Sequence, residues 1–226
     1  MATRSVLLLG GSGLIGSQCL DLLLRDAAYG RVMALGRKLL PARHDKLEQH
    51  AIDFTRLPDF VPLLLAQDVF CCLGTTIGKA GSQAAFRQVD FTCTVELARL
   101  SAQSGAEQFL LVSALGANAA SRVFYNRVKG ETEAAVAALP FRAAQIFRPS
   151  LLLGRRAEFR PGERLAQAAS RLFSPLLTGT WAKYRPIEAR AVAAAMLKIA
   201  KEFPAGVHIY DSEQIARLAA ETETRG

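Results

Sequence analysis

Several things are missing from these 226 residues, and each absence excludes a class of protein. No uninterrupted apolar run approaches the roughly 18 residues of a membrane-spanning helix, so no transmembrane segment is expected. Arg4 followed by Val6 to Leu9 faintly resembles a signal peptide, but the glycine cluster at 10 to 16 and then Gln18 and Asp21 interrupt it. There are only four cysteines and three histidines. Cys19, Cys71, Cys72 and Cys93 contain no C-x-x-C pair, and His44, His50 and His208 lie far apart in sequence, which excludes the usual zinc and redox spacings. Reduced thiols in a cytoplasmic protein are expected. Cys71 and Cys72, adjacent on an expected strand, should point to opposite faces as small buried hydrophobes. The net charge is +8, yet no basic block of five to eight residues and no aromatic interleaving accompanies it, so nucleic acid is not expected as the primary partner. The chain also lacks a repeat and a low-complexity linker, which favours a single domain over residues 1–226.

With 50% hydrophobic and 21% charged residues, the chain can bury a core of helices packed on a sheet. Its organising stretch is Gly10-Gly11-Ser12-Gly13-Leu14-Ile15-Gly16, between the apolar run Val6 to Leu9 and a helical pattern reaching about Leu24. Strand, glycine turn and helix in that order form a dinucleotide loop: Gly10 makes the turn, Gly13 lets backbone approach a pyrophosphate, and Gly16 lets helix and strand pack closely. The anion would sit on the unpaired N–H groups of the helix N-terminus. Other loops are excluded. Gly16 is followed by Ser17 and Gln18 and Gly78-Lys79 by Ala80, so there is no P-loop. Leu14 stands where a nucleophile elbow needs its last glycine.

Strands are expected at Arg31 to Leu35, Leu47 to Ile52, Ala66 to Leu73, Phe109 to Val112, Ala143 to Phe147 and, last, Val207 to Tyr210. Pro58 and Pro62 confine residues 57–65 to a turn or two of helix. Longer helices are expected over 82–104, Asn118 to Leu139 and Glu188 to Phe203, then from Ser212 to Ala220 with a frayed tail beyond. Residues 154–185, rich in glycine and proline, read as a small irregular substrate-side lobe in which Trp181 and Tyr184 are candidate pocket aromatics. This alternation predicts an α/β fold, a doubly wound parallel sheet with ligands beyond the strand C-termini. Gly10, Arg37, Asp53, Gly74, Ser113 and Pro149 all fall at such ends. In the window where an acidic residue would bond an adenosine ribose 2′-hydroxyl, the chain offers Gly36-Arg37-Lys38 and no acid, which favours NADP(H).

Tyr125 and Lys129 stand four apart on an expected helix and share a face. A lysine ammonium beside a phenol lowers its pKa from about 10 toward the working pH and makes the tyrosine a general acid/base. Ser113 reaches the same crevice and can bond a substrate carbonyl oxygen.

On these residues the chain resembles the atypical short-chain dehydrogenases/reductases. Cys72-Leu73-Gly74-Thr75-Thr76, Gly78-Lys79-Ala80-Gly81, Val128-Lys129-Gly130-Glu131 and Phe147-Arg148-Pro149 are similar, more narrowly, to the Tat-interacting-protein-like oxidoreductases. The resemblance implies NADPH along the strand edge, with Ser12, Gly13, Leu14 and Ile15 near the pyrophosphate and Arg37 at the 2′-phosphate. It further implies Asp53 and Phe54 near adenine, Leu73, Gly74 and Thr75 along the ribose and nicotinamide, and Lys129 on the nicotinamide ribose. The implied activity is hydride transfer between nicotinamide and a carbonyl or alcohol, with Tyr125 handling the proton and Ser113 steadying the oxygen. One departure concerns the asparagine that many relatives carry on the helix after the fourth strand, which stands here as Asp90 or is absent. An NADP(H)-binding redox sensor without turnover is the alternative. A sugar-nucleotide epimerase is disfavoured by the short lobe. The expected partner is a small-molecule carbonyl substrate. An amphipathic helix pair is compatible with a homodimer or protein partner and equally with core packing.

Overall fold

In a computed structural model, residues 3–154 and 185–223 are described. Seven parallel strands form one sheet: β1 (Arg4–Leu9), β2 (Tyr29–Gly36), β3 (Leu47–Ala51), β4 (Asp68–Cys71), β5 (Gln108–Val112), β6 (Ala143–Arg148) and, numbered after two short strands, β9 (Gly206–Asp211). Their order is β3-β2-β1-β4-β5-β6-β9. β7 (Leu152–Leu153) and β8 (Ile187–Glu188) pair with each other outside the main sheet and are not legible in the sequence.

Alternate residues of one strand serve two cores, because both sheet faces are covered. Val6 and Leu8 meet Ile15, Cys19, Leu20 and Leu23 of α1 (Leu14–Arg25) and Val192 and Met196 of a late helix, Ala189–Glu202. Leu7 and Leu9 face the opposite cluster, with Leu57, Leu64, Leu97 and Val136. Cys71 belongs to the second cluster and Cys72 packs on the first, so these thiols do take opposite faces. All four cysteines are free.

Strand order runs outward in both directions from the β1/β4 pair, so a crevice opens beyond their C-termini. β1 registers with β2 from Arg4↔Tyr29 to Leu9↔Leu35 and with β4 from Val6↔Asp68 to Leu9↔Cys71.

Some expected boundaries need correction. The helix expected over 82–104 is three segments: α3 (Gln83–Arg87), a π turn (Gln88–Cys93) and α4 (Thr94–Gln103), preceded by a single turn, α2 (Ile77–Ala80). The Thr94 hydroxyl donates to the Val89 carbonyl five residues back, following the extra residue in that turn. The next helix, α5, begins at Phe124 rather than Asn118 and runs to Ala137. Asn118 Oδ1 accepts the Ala120 N–H and Ser121 Oγ the Val123 N–H, so these side chains hold local turns in place of a helix. The strand expected over 66–73 pairs only from Asp68 to Cys71. The last helix continues through the expected frayed tail to Glu223. Trp181, Tyr184 and nearly all of the expected 154–185 lobe lie outside the described residues.

Candidate functional site

The glycine turn is built as its spacing demands. Gly10 has φ +80°, and a Cβ there would lie 2.6 Å from the Cys72 carbonyl oxygen. A Cβ on Gly16 would lie 2.1 Å from the Gly10 carbonyl oxygen, and one on Gly13 3.2 Å from it. The turn thus nests between its own helix and the end of β4, with no room for a side chain at Gly10 or Gly16. Gly13 caps α1 without a side-chain acceptor, and its own N–H turns back to the Gly10 carbonyl at 2.9 Å. The first-turn amides of Leu14, Ile15 and Gly16 are those a helix leaves without internal partners. Ser12 is exposed over them, Leu14 half-buried and Ile15 buried. Unpaired amides at a helix N-terminus are the donors that favour an anion.

Beside it, Gln49 of β3 pins the chain following β2. Its Oε1 accepts the Leu40 N–H at 2.7 Å, and its Nε2 donates to the Leu40 and Ala42 carbonyls at 3.2 and 3.1 Å. Leu40 is thereby pressed onto the turn, 3.0 Å from where a Gly11 Cβ would be. Arg37 rides on this fixed segment, exposed. Asp53 is also exposed; its Oδ1 accepts the Thr55 N–H and hydroxyl at 2.9 and 2.7 Å, and these bonds hold its carboxyl below the ordinary aspartate value. Phe54 and Leu73 pack onto the core below.

At the end of β4 the glycine-turn side of the sheet edge meets the α5 side. Asp90, fully buried, sets Oδ1 2.7 Å from Lys129 Nζ and accepts the Thr75 N–H on Oδ2 at 2.9 Å. Gly74 lies alongside, where a Cβ would come 3.4 Å from Asp90 Oδ1 and 3.6 Å from Lys129 Nζ. Burial works to lower the Lys129 ammonium, but the Asp90 carboxylate, with Tyr125, outweighs it and the group is held above the ordinary lysine value. Tyr125 stands one helical turn before Lys129, half-buried, its ring 5.3 Å from that of Phe86.

Ser113 is placed differently from the expectation that it faces substrate. Its hydroxyl donates to Glu133 Oε1, and Arg148 Nε donates to both oxygens of the same carboxylate at 3.0 and 3.2 Å. Glu133 is buried on α5 and raises the Arg148 guanidinium further above its ordinary value through this hydrogen bond. The Pro149 carbonyl accepts the Leu115 N–H at 3.0 Å, joining the ends of β5 and β6. Glu133 carries no motif of its own. The sequence shows only a glutamate four residues after Lys129, and its burial follows from the packing of α5 on β5 and β6.

The chain is 37% identical over 201 residues to the protein HTATIP2 of Rattus norvegicus, covering 87% of this chain and 81% of the relative. It belongs to the HTATIP2 family. A fungal relative, the mitochondrial protein fmp52 of Aspergillus clavatus, is 34% identical to this chain over 214 residues, covering 89% of this chain and 91% of its own. Solved structures share this chain's fold: MoeE5 in complex with UDP-glucose and NAD, at TM-score 0.70 and 18% identity, covers 96% of this chain and 81% of its own. The Bordetella bronchiseptica enzyme WbmH in complex with NAD+ gives TM-score 0.70 at 12% identity, over 96% and 79%. No family model matches the chain. The mitochondrial label of the fungal relatives gives no support to a cytoplasmic location, and among the described residues no helix is long and apolar enough to cross a membrane.

Proposed function

We propose that this chain is an NADP(H)-dependent oxidoreductase that interconverts a small carbonyl compound and its alcohol. The observation that carries this reading is Lys129: a buried ammonium at the end of β4, beside Gly74 and one helical turn from Tyr125. The glycine cradle fits a dinucleotide, since a Cβ at Gly10 or Gly16 would strike backbone and the turn presents a helix of twelve residues with no side-chain cap. MoeE5 and WbmH were solved with NAD, which supports a nicotinamide dinucleotide here. The preference for a 2′-phosphate rests on Arg37, exposed on a segment fixed by Gln49 and unaccompanied by an acid in its window.

In this reading the amides of the Ser12–Gly16 turn hold the pyrophosphate, Arg37 the 2′-phosphate, and Asp53 and Phe54 the adenosine. Leu73 to Thr75, Pro149 and Lys129 line the ribose and nicotinamide side. The bound nicotinamide supplies or accepts the hydride. Tyr125 delivers its hydroxyl proton to the carbonyl oxygen in the reducing direction and takes it back in the other, with the Lys129 cation adjacent throughout. Ser113 has one hydroxyl proton and gives it to Glu133, so it serves a substrate oxygen only by releasing that bond.

The test is NADPH oxidation across a panel of aldehydes and ketones. A general acid contributes about 10²- to 10⁴-fold. Tyr125→Phe is expected to lose at least about 100-fold in kcat on that scale while NADPH binding holds within about threefold. A Tyr125→Phe protein with full activity contradicts the mechanism.

A further inference from the structure

We propose that Asp90 is a positioning residue of this site, the buried counter-ion that holds Lys129 as a cation and fastens it to the cofactor-facing strand end at Thr75. The functional consequence rests on the acid–base reading of Tyr125 and Lys129 above.

One carboxylate makes two different attachments. Oδ1 meets the Lys129 ammonium at 2.7 Å, and Oδ2 accepts the Thr75 N–H at 2.9 Å. A third contact runs through its backbone, where the Thr132 hydroxyl of α5 lies 3.0 Å from the Asp90 carbonyl and shares its one proton with the Val128 carbonyl at 2.8 Å. Asp90 therefore joins three pieces of chain: its own π turn, the segment after β4, and α5. The π turn has a structural role in this. The added residue interrupts the ordinary helical ladder where a fully buried carboxylate faces the site, and such turns recur at functional positions.

Asparagine would satisfy the Thr75 N–H equally well, so only the charge calls for aspartate. A buried lysine without a counter-ion sheds its proton readily. The other titratable groups facing Lys129 do not replace Asp90. Burial pushes the Cys71 thiol of β4 up to about 12 and keeps it neutral. Tyr125, on the same helix, is the proton donor itself. Glu133, one turn further along α5, is engaged by Ser113 and Arg148. Among the described residues, Asp90 is thus the negative charge in direct contact with Lys129.

The test uses the full chain with 15N- and 13C-labelled lysine, the Lys129 side-chain resonance being assigned by its loss in Lys129→Arg. In the wild type, Lys129 is expected to titrate no lower than the exposed lysines. In Asp90→Asn it is expected to titrate at least one pH unit lower, while kcat for carbonyl reduction at neutral pH falls at least tenfold and the KM for NADPH stays within threefold. Asp90→Glu should recover part of kcat. An unchanged Lys129 titration in Asp90→Asn overturns the proposal. If Asp90→Asn does not fold, the double variant Asp90→Asn/Lys129→Met decides: restored folding identifies the uncompensated charge as the fault, whereas continued failure reduces Asp90 to a packing role and refutes the proposal. A wild type without turnover removes the acid–base reading alone, because the lysine titration still decides whether Asp90 is the counter-ion.

Discussion

Replacing Asp68 with alanine should weaken the fold severely and leave nucleotide binding intact. Asp68 opens β4, fully buried, and three other strand openings converge on it. Arg4 of β1 donates from Nε at 2.9 Å and from a terminal nitrogen at 2.7 Å, Tyr29 of β2 donates its hydroxyl at 2.8 Å, and Gln108 of β5 its side-chain amide at 3.1 Å. These residues lie at the N-terminal ends of their strands, on the sheet edge opposite the glycine turn. In Asp68→Ala, Arg4 keeps Glu107 at 3.3 Å and some solvent. The Tyr29 hydroxyl does not, because the residue is fully buried. A stranded buried donor costs about 1–3 kcal/mol, and the lost charge-assisted hydrogen bonds of Arg4, which keeps Glu107 and solvent, about 1.5–3 kcal/mol more. At roughly 2–4 °C per kcal/mol for a chain of this size, a loss of about 4 kcal/mol lowers Tm by about 8–16 °C. Tyr29→Phe, which removes one neutral donor, should cost about 1 kcal/mol. Urea unfolding followed by circular dichroism measures both. An Asp68→Ala protein within about 1 kcal/mol of wild type would refute the reasoning, since even one stranded donor exceeds that.

Gly16→Ala places a Cβ 2.1 Å from the Gly10 carbonyl oxygen, a backbone atom that cannot rotate away. The turn must open, at a stability cost of about 1–3 kcal/mol. Calorimetry should show NADPH affinity down by more than about tenfold, the equivalent of 1.4 kcal/mol in the cradle; wild-type affinity would mean that the turn is not the pyrophosphate site. Asp26 offers a pH test. Burial raises its carboxyl, but the Lys201 ammonium at 2.8 Å and the Ala28 N–H at 2.8 Å lower it more, and the net direction is down. A depressed carboxylate stabilises the fold above its unfolded value, near 3.9, and that stability disappears as pH falls through the folded value. Between pH 5 and pH 3, Asp26→Asn should therefore lose less stability than wild type; equal losses would show that Asp26 contributes nothing.

Much of this architecture is legible in the sequence because the parallel sheet is covered on both faces. Val6 to Leu9 reads as a continuous apolar run because Val6 and Leu8 serve one core and Leu7 and Leu9 the other. The glycine turn is legible for a related reason: positions that exclude a Cβ must be glycine. Less of α5 and its surroundings could be read. Apolar spacing over 82–104 suits one helix, and nothing in it reveals that a π turn brings Asp90 against Lys129. The start of α5 at Phe124 is not legible because Asn118 and Ser121 hold turns through their own side chains, which alanines 117, 119 and 120 around them conceal. A strand end shows where Ser113 sits along the chain and not which carboxylate accepts its hydroxyl hydrogen bond. Glu133 and Arg148, 15 residues apart, meet only when α5 packs against β6.

The central claim, that an NADP(H) site lies along this sheet edge, is tested most directly by titrating wild type and Arg37→Ala with NADPH and with NADH, followed by nucleotide fluorescence. A charge-assisted bond to the 2′-phosphate is worth about 1.5–3 kcal/mol. The account predicts that Arg37→Ala weakens NADPH binding by about 10- to 100-fold and leaves NADH within about twofold. If NADH binds wild type as tightly as NADPH and Arg37→Ala changes neither, the 2′-phosphate assignment is wrong. If neither nucleotide binds, the glycine cradle is only a turn and the proposed activity falls with it.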